Sequence, residues 1–136
     1  MERRSFLKKT AAVVTAATIA PKMLSANEFI AMSPEEVGND FKIISDETRD
    51  GVRYISATPS QIVCSKRIDI EINTSDGTIR HCEFTRGCPG NSLGLCKLIK
   101  GMEVSKVIDT LIGNPCGNRQ TSCPDQLARV LAACVK

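Results

Sequence analysis

Arg67-Ile68-Asp69-Ile70-Glu71-Ile72-Asn73-Thr74-Ser75-Asp76-Gly77-Thr78-Ile79-Arg80-His81-Cys82-Glu83-Phe84-Thr85 decides the fold of this chain. Ile68, Ile70 and Ile72 alternate with Arg67, Asp69 and Glu71, the period-two pattern of a strand that buries one face. Ser75-Asp76-Gly77 supplies a turn in which glycine is free to take positive φ. Thr78 to Thr85 then returns as a second strand, with Cys82 and Phe84 on one face. An antiparallel hairpin brings its two open ends together. Cys64 lies just ahead of the first strand and Cys88 just after the second, so the hairpin predicts them as spatial neighbours.

Downstream of the hairpin the apolar period changes to that of helices. Leu95, Leu98, Ile99 and Met102 fall at i, i+3, i+4 and i+7, which predicts an amphipathic helix ending at Gly101 or shortly after. Val104, Val107, Ile108 and Leu111 repeat the pattern up to Gly113, and Leu127, Val130, Leu131 and Cys134 repeat it again. Pro124 and Asp125 suit the first turn of that last helix, by fixed φ and by charge. Cys123 therefore sits at or beside an N-cap, and Cys88, in Gly87-Cys88-Pro89-Gly90-Asn91, precedes another helix. Helix N-termini favour thiolates. Three helices packed on a small antiparallel sheet give an α+β fold.

Upstream, Val52 to Ala57 alternates weakly and reads as an edge strand ending at Thr58-Pro59-Ser60. Residues 27–51 read as a linker or irregular segment, punctuated by Ser33-Pro34-Glu35-Glu36 and Gly38-Asn39-Asp40, with a short strand at Phe41-Lys42-Ile43-Ile44. The domain proper is expected over residues 52–136. Residues 1–26 read as a leader. Arg3-Arg4-Ser5-Phe6-Leu7-Lys8 resembles the twin-arginine export signal, and Ala11 to Ala20 follows as a short, weakly hydrophobic run before Pro21-Lys22. The resemblance implies a twin-arginine export machinery as partner, a periplasmic or other extracytoplasmic location, and passage of the chain already folded. The alternative is a basic amphipathic N-terminus of a cytosolic protein.

Composition narrows the function. Hydrophobic residues make up 42% of the 136 and aromatics 4%, so the core must be aliphatic. Five of the 18 basic residues but one of the 15 acidic ones lie in the leader, leaving 13 against 14. That near-neutral balance argues against a nucleic-acid-binding surface. No apolar run reaches the length of a transmembrane helix, so stable membrane insertion is not expected. No Walker loop, G-x-G-x-x-G or G-x-S-x-G elbow is present.

Seven cysteines is a high and odd count for this length. Cys64, Cys88, Cys116 and Cys123 flank the hairpin and bracket the loop before the last helix, and they are predicted to converge on one metal or cluster site. Four thiolates suit zinc or an iron–sulfur cluster. The other reading of the four is structural disulfides in an oxidising compartment. Cys82 and Cys134 fall on apolar faces and read as small core residues, while Cys96 is open either way. His81 is expected to face solvent. Arg86 and Arg119 flank the cysteine loops and read as solvated surface charge, with thiol or anion contact as the alternative.

Val63-Cys64-Ser65-Lys66, Gly87-Cys88-Pro89-Gly90-Asn91, Gly101-Met102, Cys116-Gly117 and Thr121-Ser122-Cys123-Pro124-Asp125-Gln126-Leu127-Ala128 together resemble the TSCPD domain over about residues 52–135. Members are often small stand-alone proteins, and many carry a ribonucleoside-diphosphate reductase-related label. This chain is too short to hold a reductase barrel, and an export signal would remove it from the nucleotide pool. A more distant likeness is to NifU-type iron–sulfur scaffolds. These place one cysteine before a hairpin, a Gly-Cys after it, and another at the start of the last helix, matching Cys64, Cys88 and Cys123. Ser65-Lys66 stands where scaffolds carry an acidic residue, and Cys116 matches no residue common to them, so the likeness implies metal binding rather than transient cluster assembly. The expectation is an exported metal- or cluster-binding protein with an unidentified protein partner and no catalysis of its own. A periplasmic thiol–disulfide protein is the remaining alternative.

Overall fold

The computed structural model describes residues 38–135. The leader at 1–26 and the first part of the linker lie outside the described residues. The elements are β1 (Lys42–Arg49), β2 (Val52–Thr58), β3 (Arg67–Asn73), β4 (Ile79–Thr85), α1 (Pro89–Ile99), α2 (Val104–Leu111) and α3 (Cys123–Val135). The four strands form an antiparallel meander in sequence order. The α+β fold is as expected, with four strands in place of a hairpin and one edge strand.

The register explains the layering. Ile55 and Ala57 of β2 pair with Ile70 and Ile68 of β3, which pair in turn with Cys82 and Phe84 of β4. These residues share one face because side chains alternate along a strand. They join Ile99, Val104, Val107, Leu127, Val130 and Leu131 of the helices in a single core. The opposite face carries Tyr54, Asp69, Glu71, His81 and Glu83, half-buried or exposed and laced with ion pairs such as Arg67–Asp69. His81 is exposed, as expected, 3.9 Å from Glu83.

Four expectations are corrected. Residues 42–49, read as part of the linker with a strand at 41–44, form a full eight-residue strand. Its side chains are almost all exposed, so it lacks the alternation that marks a buried face. Val52–Thr58 is consequently an inner strand, held on both sides. Leu98 does not share the buried face of α1. Cys96 and Ile99, one turn apart, set that face, and Leu98 sits about 200° around the helix from Cys96, leaving it 77% exposed. Met102 lies beyond the helix. It belongs to the segment Gly101 to Val104, whose hydrogen bonds to Gly77 and Ile79 pin the α1–α2 connection along the start of β4.

Candidate functional site

Two chain reversals bring the first two cysteines to one end of the sheet. Arg67 pairs with Thr85, and the Lys66 N–H donates to the Thr85 carbonyl at 2.8 Å. Beyond this pair the chain leaves β4 through Arg86 and Gly87, both at positive φ (61° and 109°). A side chain at 87 would be strained at that φ, and its Cβ would stand 3.4 Å from the Ser65 nitrogen. Glycine here lets the exit of β4 run close beside the segment that enters β3. Cys88 then becomes the N-cap of α1, with no side-chain cap bond and Pro89 following it. Its sulfur is left uncommitted at the head of the helix.

The other two cysteines are placed by the motif around Cys123. Ser122 is the cap of α3: its Oγ accepts from the Asp125 N–H at 3.1 Å, and its carbonyl accepts from the Gln126 N–H at 2.8 Å. The same hydroxyl donates to the Asn114 carbonyl. Asp125 is fully buried, where its carboxylate accepts from the Gly113 N–H, the Thr121 hydroxyl and Arg129 Nε at 2.7, 2.5 and 2.7 Å. Gln126, also fully buried, accepts from the Ser60 N–H and donates to the Gly38 carbonyl and to Thr121 Oγ1. These bonds fix the loop between α2 and α3 at both ends. Within that loop Cys116 and Arg119 exchange backbone hydrogen bonds across a two-residue turn.

All four predicted cysteines line one cavity of about 230 Å³. Val63, Leu95, Pro115 and Pro124 supply apolar wall between them. Cys64, Cys88 and Cys116 are exposed and Cys123 is partly so. Two of the sulfurs have hydrogen-bond donors. The buried Ser65 hydroxyl donates to Cys123 Sγ at 3.2 Å, and Arg119 Nη1 donates to Cys64 Sγ at 3.5 Å. The Cys64 contact pushes the Arg119 guanidinium pKa above its usual value, with Cys116 and Cys123 adding to the effect. Arg119 thus touches a sulfur, where sequence suggested solvated charge. No motif in the sequence marks that contact, since Arg119 and Cys64 are distant in the chain. Ser65, next to Cys64 in the chain, is the donor to Cys123.

The fit to a metal divides into chemistry and geometry. Four thiols on one cavity wall are the donor set that zinc and iron–sulfur clusters take. A single zinc ion needs its sulfurs about 2.3 Å from one point. Among the described residues, no group of three or more histidine, cysteine, aspartate or glutamate side chains stands close enough to hold one ion.

The remaining cysteines lie elsewhere. Cys82 and Cys96 are buried in the core, and Cys134 is half-buried against it. None of the seven is in a disulfide. Among the described residues no helix is long and apolar enough to cross a membrane.

A family model described as TSCPD domain matches residues 32–135, more than half of the chain. The match begins well before residue 52 and takes in β1, so the domain reaches into the segment that sequence alone reads as linker. No curated protein matches the chain, and no solved structure does.

Proposed function

This chain belongs to the TSCPD domain family, and from that premise we propose that it holds a thiolate-bound metal centre through Cys64, Cys88, Cys116 and Cys123. The observation that carries the reading is the shared cavity: four cysteines from four separate segments line it, and the buried motif residues Ser122, Asp125 and Gln126 hold two of those segments. An iron–sulfur cluster is favoured over one zinc ion. Cys64, Cys88, Cys116 and Cys123 line the cavity without forming a group suited to one ion among the described residues, and they would hold a cluster of several metal atoms as its thiolate ligands. When bound, such a cluster supplies an electron-accepting or structural centre. The chain's own residues supply the thiolates, an apolar wall that limits water, and donors from Ser65 and Arg119 to two sulfurs. Hydrogen bonds to cluster sulfurs are among the levers that set a potential. The distant scaffold likeness supports the same reading, through Cys64, Cys88 and Cys123.

The test is iron, acid-labile sulfide and zinc analysis of anaerobically purified full-length protein, with its visible absorption spectrum. Iron and sulfide in stoichiometric amount with thiolate-to-iron absorption are expected. Zinc without sulfide replaces the cluster with a mononuclear site. Metal-free protein with the four cysteines oxidised in pairs overturns the reading.

Export by the twin-arginine route belongs to the same proposal, since that route carries folded, cofactor-loaded proteins. Its support is Arg3-Arg4 followed by the run Ala11 to Ala20. Arg3→Lys with Arg4→Lys is expected to retain the chain in the cytoplasm with its leader uncut, as fractionation and mass spectrometry read directly. Undiminished export of that double variant contradicts it.

A further inference from the structure

Cys82 and Cys96, which take no part in the four-cysteine cavity, face each other across the contact between β4 and α1. Cys82 is on the inner face of β4, 4% exposed, and Cys96 is on the buried face of α1, 8% exposed. Both belong to one core cluster, in which β4 packs against α1. They are not sealed in. Both line a second, open cavity of about 410 Å³ whose rim carries His81, Arg86 and Leu93. Ser92 alone is common to the linings of the two cavities, so a reagent entering the second meets this pair without passing the other four cysteines. We propose that Cys82 and Cys96 are a redox-active dithiol that closes to a disulfide linking β4 to α1, reached by a small-molecule disulfide through the second cavity.

The two thiols are unequal in a way that suits this step. Interaction with the Cys96 thiol, together with burial, pushes the Cys82 thiol well up, and interaction with Cys82 draws the Cys96 thiol down. The thiolate is the attacking form. Cys96 is therefore the nucleophile and Cys82 the resolving residue. Cys96 thiolate attacks one sulfur of the oxidant, forming a mixed disulfide and expelling one thiolate. Cys82 then loses its proton to that leaving group and attacks the Cys96 sulfur, expelling the second. The protein dithiol gives up two electrons and two protons, and the oxidant leaves as two thiols.

The experiment treats reduced full-length protein with oxidised glutathione, alkylates the remaining thiols and maps tryptic peptides. Cleavage after Arg80, Arg86 and Lys97 puts Cys82 on residues 81–86 and Cys96 on residues 87–97. The expected product is a cross-linked pair of these peptides, two hydrogens lighter than their sum, with the link at Cys96 by fragmentation. Dithiothreitol should reverse it. In Cys82→Ser the resolving thiol is gone while a hydroxyl stays beside Cys96, and Cys96 should accumulate as its glutathione adduct, which a purely structural pair would not give. Full alkylation of Cys82 and Cys96 after glutathione treatment of the wild type, or a link from Cys82 to Cys88 instead, overturns the proposal. So does Cys96 remaining unmodified in a folded Cys82→Ser protein. Metal analysis does not enter these readouts, so this result and that for the four-cysteine centre stand or fall separately.

Discussion

Asp125 carries the heaviest structural duty of any residue near the cavity. It is fully buried and accepts from a backbone N–H, a hydroxyl and a guanidinium, joining the end of α2 to the first turns of α3. Asp125→Asn keeps the shape but turns an amide N–H toward a donor that needs an acceptor. The expected cost is about 3 kcal/mol, the scale for breaking a buried charged hydrogen-bond set. Thermal or urea unfolding measures it, and a loss under about 1 kcal/mol contradicts this account of the motif. The role is only half legible in the sequence. Asp125 beside Pro124 reads as a helix-start residue favoured by its charge, and that position is right. That its carboxylate reaches back to Gly113 depends on how the loop folds, which no local pattern encodes. The same holds for Gln126, whose partners at Gly38 and Ser60 are remote in sequence.

Among elements, β3 and β4 were the most legible and β1 the least. Ile68, Ile70 and Ile72 face a core, so burial writes itself into the sequence as alternation. β1 has a solvated edge and almost no buried side chain, so nothing forces alternation there. One local signal was nevertheless available. Arg49 pairs with Val52 across Asp50-Gly51, both at positive φ (51° and 76°), the two-residue turn that an Asp-Gly pair favours. What fastens β1 beyond its backbone bonds is Asp46. Arg53 Nε and Nη2 donate to its two carboxylate oxygens at 2.7 and 2.6 Å, and the same Nη2 donates to the Cys134 carbonyl near the end of α3 at 2.8 Å. The Arg53 hydrogen bonds hold the Asp46 carboxyl below its ordinary value of 3.8, outweighing the opposing effect of partial burial. A depressed carboxyl stabilises the fold above its unfolded pKa and loses that contribution as pH falls through the folded one. Asp46→Asn is therefore expected to cost about 1 kcal/mol at pH 7. The gap from wild type should narrow as pH drops below about 4. Stability curves for both proteins across that range check the sign, and a gap that widens in acid contradicts it.

At the scale of the molecule, a one-sided sheet presents the open end of its β3–β4 hairpin to the loops that open α1 and α3. The convergence of Cys64 with Cys88 was legible because hairpin topology dictates it. The arrival of Cys116 and Cys123 at the same cavity was expected from the motifs. The Ser65 donor was not, and the contact of Arg119 with a thiol was only the alternative reading, because both depend on loop geometry rather than on residue type. The proposed centre, if held by all four cysteines, would tie the sheet to α3 in a domain small enough for the tie to matter to folding. The measurement that tests this most directly is bound metal per chain, with melting temperature, in the single variants Cys64→Ser, Cys88→Ser, Cys116→Ser and Cys123→Ser, against Cys134→Ala as a control outside the cavity. Metal and melting temperature should fall together in each of the four. In the control, metal should be kept and stability should drop by about 1 kcal/mol of lost packing. Stoichiometric metal retained in both Cys116→Ser and Cys123→Ser would contradict a site that spans the sheet and the last helix.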